Sequence, residues 1–487
     1  MAFAQTPTLV QHVSGSNTRS FSLGSPYCYY QILPNPTTAG NSIIVGFTFN
    51  GTVQPTVSDD KGDNYTVAEN FYGSASAQSA ALAASFGVAA GARKISVCFP
   101  SSPGGGGAYT AVMASEFSNV TTVDGTGVGA NSTGTLVAAG NMAPSATGDV
   151  AYQIVFSTSI AQSAFVAGSQ SNIDWNLLSA DLKDGFGAQY GVDSSTMTIN
   201  PTMSMGTSDS FVTAAILLKA GAVGGVPSGM RIVHLQHQGF CGVSTCGSAF
   251  STPAKLQFPS TGNLIVALGG GGNPLCKISA VSDTNGNTWE QAGSTYSYSG
   301  GGYDTVQTYY AANATTAPSL GLTMTFTNGN CDWDMQLYDV TGAAASPFDK
   351  ASGATGDQTS TSGTLTVPYS IAPASAGELI FTNNVWDYNT ASGLVSNIGS
   401  TCTPTAQVAC SDAVIFSGEP ISGPEPVDQN NGWGHAFSTS ASAITFTWQQ
   451  LSTSLAAGPW ASMAAAFKPG SVGPPPAPPT QLQPAVQ

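Results

Sequence analysis

VSDDKGDNYT at residues 57–66 and VSDTNGNTWE at residues 281–290 are two versions of one phrase, and the stretches around them repeat in the same order. Gly40 and Asn41 before the apolar run IIVGF match Gly262 and Asn263 before LIVAL. TGTLV from Thr133 matches SGTLT from Ser362, and GDVAYQIVF from Gly148 matches GELIFTNNV from Gly377. Each half closes on an apolar run, AAILLKAG from Ala214 and MAAAFKPG from Met463. Matching landmarks lie about 222 to about 249 residues apart, the span of a whole domain rather than of a short solenoid repeat. The chain reads as a duplicated domain.

Between the landmarks, Val, Ile, Phe, Tyr and Thr gather in short runs separated by Gly, Ser, Asn and Pro, which is the punctuation of strands. SIIVGFTF from Ser42, KISVCF from Lys94, TVQTYYAA from Thr305, GLTMTFT from Gly321 and AITFTWQQ from Ala443 are examples. One stretch, NLLSADLKD at 176–184, is expected to form a short helix. The predicted fold is all-β: two tandem antiparallel β-sandwich domains of jelly-roll-like type. The closing runs FVTAAILLKAG and WASMAAAFKPG are apolar on both faces and should be central strands. The boundaries expected are 5–221 for the first module, a Gly/Pro-rich linker at 222–229, 230–470 for the second, and a Pro-rich tail at 471–487. That tail is either a linker stub or a strand that adds to the open edge of a neighbouring copy.

Only 8% of the residues are charged, against a usual quarter, while 41% are hydrophobic, so the chain folds yet carries a polar, uncharged surface. Eleven basic against 26 acidic residues give a formal net charge of -15, which repels phosphate backbones and excludes nucleic acid as a partner. No apolar run is long enough to span a membrane as a helix. Ala2, Phe3 and Ala4 before Gln5 resemble the small-residue end of a secretory signal, so the expected location is secreted or cell surface.

The cysteines point the same way. Cys28 and Cys98 lie in the first copy, and Cys241, Cys246, Cys276, Cys331, Cys402 and Cys410 in the second. Both counts are even and no zinc-type spacing occurs, so disulfides are expected. Cys28 has only Cys98 within its module. Cys402 and Cys410 bracket a short turn-rich segment and should pair locally. The other four allow three connectivities, of which Cys276 with Cys331 and Cys241 with Cys246 is favoured.

Several residue groups could carry chemistry. The repeated VSDxxGxxY/W phrase places Asp59 and Asp63, and in the second copy Asp283 and Asn287, around a glycine, where oxygen ligands would suit calcium. Calcium is the one cofactor the sequence offers a place for. A plain turn explains the same residues, and Asn285-Gly286 is a strong hairpin signal. Glu116 aligns with Asp339 and Asp124 with Asp349, pairs that could act as acid and base on a glycoside or cap turns as structural carboxylates. His12 and His237 occupy similar places on each copy's first strand, which suggests a packing or hydrogen-bonding role. Six of the seven tryptophans fall in the second copy. Trp333, Trp386 with Asp387 and Tyr388, and Trp433 with His435 set aromatic faces beside hydrogen-bonding groups, the combination that sugar recognition requires. Trp448 and Trp460 read as core. Polysaccharide and further copies of the chain are the partners these features suggest. No GxSxG, HExxH or Walker loop is present.

The order VSDxxGNTW, TYYAAN, YDVTGA, SGTL and MAAAFK resembles a family of secreted bacterial β-sandwich repeats, largely uncharacterised and often found in cell-surface or carbohydrate-associated proteins. The second copy matches better. The first departs with FGVAAG where YYAANA is expected, while SEFSNV keeps the acidic residue. The resemblance implies the fold and the location, and brings no catalytic residues with it. The functional expectation is a structural or adhesion protein, glycan-binding or self-assembling through its tail; the alternative is a secreted carbohydrate-active hydrolase using Asp/Glu acid-base residues.

Overall fold

A computed structural model describes residues 6–17, 27–74, 77–101, 110–157, 162–181, 185–240, 254–271, 277–298, 305–327, 333–358, 364–387, 398–401, 414–417, 429–438, 440–450 and 458–470, some strand ends by backbone alone. Within them the chain is all-β. The first half opens with β1 (Thr8–Asn17), β2 (Tyr27–Ile32), β3 (Ser42–Asn50), β4 (Thr56–Asp59), β5 (Thr66–Gly73), β6 (Gln78–Phe86), β7 (Lys94–Phe99) and β8 (Thr110–Ser118). It closes with β9 (Val120–Val123), β10 (Val128–Ala138), β11 (Val150–Ser157), β12 (Phe165–Ala167), β13 (Ile173–Asp181), β14 (Phe186–Asp193) and β15 (Thr202–Ala220). The second half opens with β16 (Arg231–Phe240), β17 (Ala254–Ser260), β18 (Leu264–Gly271), β19 (Ile278–Asp283), β20 (Glu290–Gln291), β21 (Tyr296–Ser297), β22 (Thr305–Ala312), β23 (Ala317–Phe326) and β24 (Trp333–Thr341). It closes with β25 (Ala343–Gln358), β26 (Thr364–Ile371), β27 (Leu379–Asp387), β28 (Ile398–Thr401), β29 (Val414–Ser417), β30 (Gln429–Phe437), β31 (Ile444–Gln450) and β32 (Gly458–Pro469).

Sheet order repeats with the sequence. The first half sets β1-β8-β3-β6-β5 in one sheet and the second sets β16-β24-β18-β22-β20 in the same order. These two sets are one sheet, joined edge to edge by β1 and β16. Every other described pairing is antiparallel, but β1 and β16 run parallel, with His12 opposite His234, Val13 opposite Leu235 and Ser14 opposite Gln236. The remaining strands echo each other too: β10-β15-β11-β14-β13 corresponds to β25-β32-β27-β30-β29, and β2-β7-β4 to β17-β23-β19. As expected, the closing strands β15 and β32 are interior, each flanked on both sides.

Equivalent positions of the two halves face opposite sides of the shared sheet: Ile43 pairs with Glu116 and Ile265 with Asp339, yet the two isoleucines enter different core clusters. Ile43, Val45, Phe47 and Phe49 of β3 share one cluster with Leu264, Val266 and Leu268 of β18, and with Leu379, Phe381 and Phe467 from the last sheet. Ile44 packs instead toward Tyr152, Ile154 and Ile216, while Ile265 and Ala267 pack with Phe258, Leu320 and Leu322. The shared sheet is therefore covered on both faces, which is why IIVGF and LIVAL carry apolar residues without alternation. Each fully buried Phe, Ile, Leu or Val side chain contributes about 1.5–3 kcal/mol.

The helix expected at 176–184 is not formed where that stretch is described. Its residues up to Asp181 belong to β13, laddered to β14 from Ile173 opposite Asp193 to Asp181 opposite Phe186. Side chains alternate across a strand, so Leu177 and Leu178 enter different core clusters, both fully buried. Two-sided burial in a sheet thus overrides a local pattern that imitates a helix face. At the linker, Asn119 donates its N–H to the Val223 carbonyl at 2.8 Å, so the segment is fastened to the first half.

A candidate site at the seam between the halves

The repeated phrase is a corner between layers. β4 pairs with β7 and β19 with β23, whereas β5 and β20 belong to the shared sheet, so the turn carries the chain from one sheet to the next instead of closing a hairpin. Asp59 Oδ1 accepts the N–H groups of Lys61, Gly62 and Asp63 at 2.9, 2.8 and 3.1 Å, and Oδ2 accepts the Tyr65 hydroxyl at 3.0 Å. Asp283 Oδ1 accepts from Asn285 and Asn287 at 2.9 and 3.1 Å, and Oδ2 from the Trp289 indole at 2.7 Å. Glycine supplies the positive φ, 81° at Gly62 and 69° at Gly286. The next acceptors reach further along the chain: Asp63 takes the Ala89 N–H and Asn287 the Thr315 N–H. All four residues proposed for calcium thus spend oxygens on backbone donors. Among the described residues no group of three or more His, Cys, Asp or Glu side chains is placed to hold a metal.

Glu116 and Asp339 are fully buried and do the same work in each half. Glu116 accepts the Thr38 N–H at 2.9 Å and the Asn41 and Gln11 amides at 2.5 Å each. Asp339 accepts the Thr261 N–H at 2.7 Å and the Gly262 N–H at 3.1 Å. Both hold the loop that enters the third strand of their half. Burial raises both carboxyls, Asp339 to about 6, against the pull of these donors and of Arg231. Arg231 stands between the halves: its field reaches both acids, and its Nη1 donates to the Val10 carbonyl at 2.7 Å. Asp124 and Asp349 accept the Ser145 and Ala374 N–H groups at 2.6 and 3.0 Å.

The histidines lie at the same seam. His12 is matched across the parallel pair with His234, not with His237, and their rings stack with centroids 5.0 Å apart. His12 Nδ1 hydrogen-bonds Ser115 Oγ at 2.7 Å, Ser115 meets the Tyr152 hydroxyl at 2.9 Å, and His12 Nε2 lies 3.3 Å from Ser179 Oγ. His234 stacks on Phe258, and the Gln236 side chain beside it opposes the effect of burial on its ring. On the opposite face of the sheet His435, only 2% exposed, donates Nε2–H to the Pro34 carbonyl at 2.6 Å, tying the second half's β30 to the first half. Burial lowers all three imidazoles; His234 and His435 fall to about 3, the latter helped by Arg93, and His12 is lowered further by His234. They are neutral at physiological pH. Ser115 and His12 form a serine–imidazole pair only in outline, since both are fully buried.

Other direct ties cross the seam. Asn35 Nδ2 donates to the Ile232 carbonyl at 2.5 Å, Gln236 Nε2 to Ala180 at 3.0 Å, and Gln257 Oε1 accepts the Phe165 N–H at 2.8 Å. Sequence reading missed Arg231, Asn35, Gln11 and Gln236; the HLQHQ and LVQHV phrases pointed to the strands but not to their pairing.

The aromatic candidates are placed by backbone only. Trp386 lies opposite Asn430 and Trp460, Asp387 opposite Gln429, Trp433 opposite Asn383 and Phe416, and Trp333 opposite Phe240 and Gly271. Tyr388 lies outside the described residues, and so do Cys241, Cys246, Cys276, Cys331, Cys402 and Cys410. His435 is withdrawn from any surface group by its burial. Trp460 is core, as expected. Cys28 and Cys98 form a disulfide across the β2–β7 pair.

No protein-family model matches the chain, and no curated protein matches it. No helix of the described residues is long and apolar enough to cross a membrane.

Proposed function

We propose that the chain is an extracellular structural or adhesion protein, a secreted or cell-surface β-sandwich repeat of the bacterial type its phrases resemble. One observation supports this over hydrolysis. The four carboxylates that a glycosidase reading would use, Glu116, Asp124, Asp339 and Asp349, each accept a turn N–H at 2.6 to 3.0 Å, in matching places in the two halves. A carboxylate acting on a sugar must face the substrate, with its partner across the scissile bond. Carboxylates that cap turns serve rigidity. In this reading Trp333, Trp386 and Trp433 offer polysaccharide contacts, and the tail at 471–487 links one copy to the next by strand addition.

Electron microscopy and light scattering of the full chain test assembly: filaments or arrays are expected, lost on deletion of 471–487. Incubation with soluble polysaccharides should release no reducing ends. Release that disappears in Asp124→Asn or Asp349→Asn would overturn the structural reading in favour of a hydrolase.

A further inference from the structure

Three of the histidines close the contact between the halves, on both faces of the shared sheet, and each is buried in neutral form. We propose that this seam is an acid-operated latch: when its imidazoles take up protons, the parallel β1–β16 pair parts and the halves separate as folded bodies joined by residues 222–229. The geometry gives each imidazole a reason to resist a second proton. Charging His12 and His234 sets two like charges in rings stacked 5.0 Å apart, out of water. Charging His435 gives its Nδ1 a buried proton with no acceptor, since only Nε2 is bonded, beside the Arg93 guanidinium.

The groups facing these rings set the pH range. Around His12 are Ser115 of β8, Tyr152 of β11, Ser179 of β13 and His234 of β16, while Glu116, opposite Gln11, lies on the other face of the sheet. Around His234 are His12, Phe258 of β17, Gln236 of its own strand and its cross-strand partner Asp339 of β24. Around His435 are Pro34, Tyr338, Phe381 and Arg93. An imidazole lowered in the closed state binds its proton only on opening, so acid favours opening below the ordinary value of 6.5. Glu116 and Asp339 act the other way: raised in the closed state, they take up protons there first and offset part of the histidine effect. Once the pH is below their ordinary values of 4.5 and 3.8 they are neutral in both states, and Arg231 has lost both compensating charges. Opening should therefore become steep near pH 4.

Hydrogen exchange of the full chain against pH, corrected for the intrinsic acid slowing of amide exchange, reads the latch directly. Amides of β1 and β16 should lose protection before those of β11 and β27. The opening constant should rise at least about tenfold per pH unit below about pH 4.5, one proton taken up per decade. His12→Gln with His234→Gln should flatten that rise by at least one proton. Loss of protection in all four strands together, or a pH-independent opening constant in the unmodified chain, would overturn the latch even if the double variant does not fold.

Discussion

Asn41 grips Gly225 through both ends of its side-chain amide: Oδ1 accepts the Gly225 N–H at 2.8 Å and Nδ2 donates to the Gly225 carbonyl at 3.0 Å. Asn263 treats Ala343 in the same way, at 3.1 and 2.7 Å. In each half an asparagine side chain stands in for a strand neighbour, and in the first half what it holds is the linker. Glu116 bonds the same Asn41 amide, so buried acid, asparagine and linker form one chain of contacts. Asn41→Ala should cost about 1–3 kcal/mol, the range for orphaning buried hydrogen-bonding groups. Gly224→Ala should act similarly, because its φ is 65° and an added Cβ would overlap the Asn41 side-chain oxygen Oδ1. Urea denaturation gives the cost, and faster proteolytic cleavage within 222–229 shows that the linker has come loose.

The two corner aspartates should prove interchangeable in role. Asp59→Ala and Asp283→Ala each remove a carboxylate that caps two or three N–H groups and one ring donor, at about 1–2 kcal/mol apiece. A chelator should leave the melting temperature of the unmodified protein unchanged. A drop on chelation, reversed by calcium, would return these residues to a metal site.

Reduction of the Cys28–Cys98 bridge tests how much of the first half depends on covalent closure. The sequence separation is 70 residues, for which the chain-entropy model gives about 4 kcal/mol. Cys28→Ser with Cys98→Ser should lower stability by roughly that amount while the β-sheet circular dichroism persists, because β2 and β7 remain laddered.

Asp339 gives a pH signature of its own. Its carboxyl is raised from 3.8 to about 6 in the folded chain, so its contribution is present below 3.8 and is lost as pH rises through about 6. The stability difference between the unmodified chain and Asp339→Asn should shift by on the order of 3 kcal/mol between pH 4 and pH 7.5, to the disadvantage of the unmodified chain at the higher pH. A difference that stays constant across that range would show that Asp339 is not raised.

Much of the local structure was legible. TVQTYYAA is β22 residue for residue, KISVCF is β7, and the closing strands are interior as their two-sided apolarity implied. These signals are local or depend only on which faces are covered. What was not legible is long-range register. LVQHV and HLQHQ each announce a strand, but nothing in either states that the two strands lie side by side and parallel, which makes His234 the partner of His12. Asn285-Gly286 likewise signals a tight turn truthfully, yet the destination of the chain after it is set by the neighbouring sheet. Arg231 follows the glycine-rich linker with nothing local to mark it, because its two acids come from strands far away in sequence.

β1 is made well before β16, yet it ends in the middle of the widest described sheet, between β8 and β16. Until His234 arrives opposite His12, the side of β1 that will face β16 offers unpaired backbone groups to any passing strand. The first half must therefore spend its early life with that flank uncovered, and completion waits on a contact of very high sequence separation. Folding of the whole chain should be slow and sensitive to concentration, with a sibling β1 or β16 as the natural wrong partner.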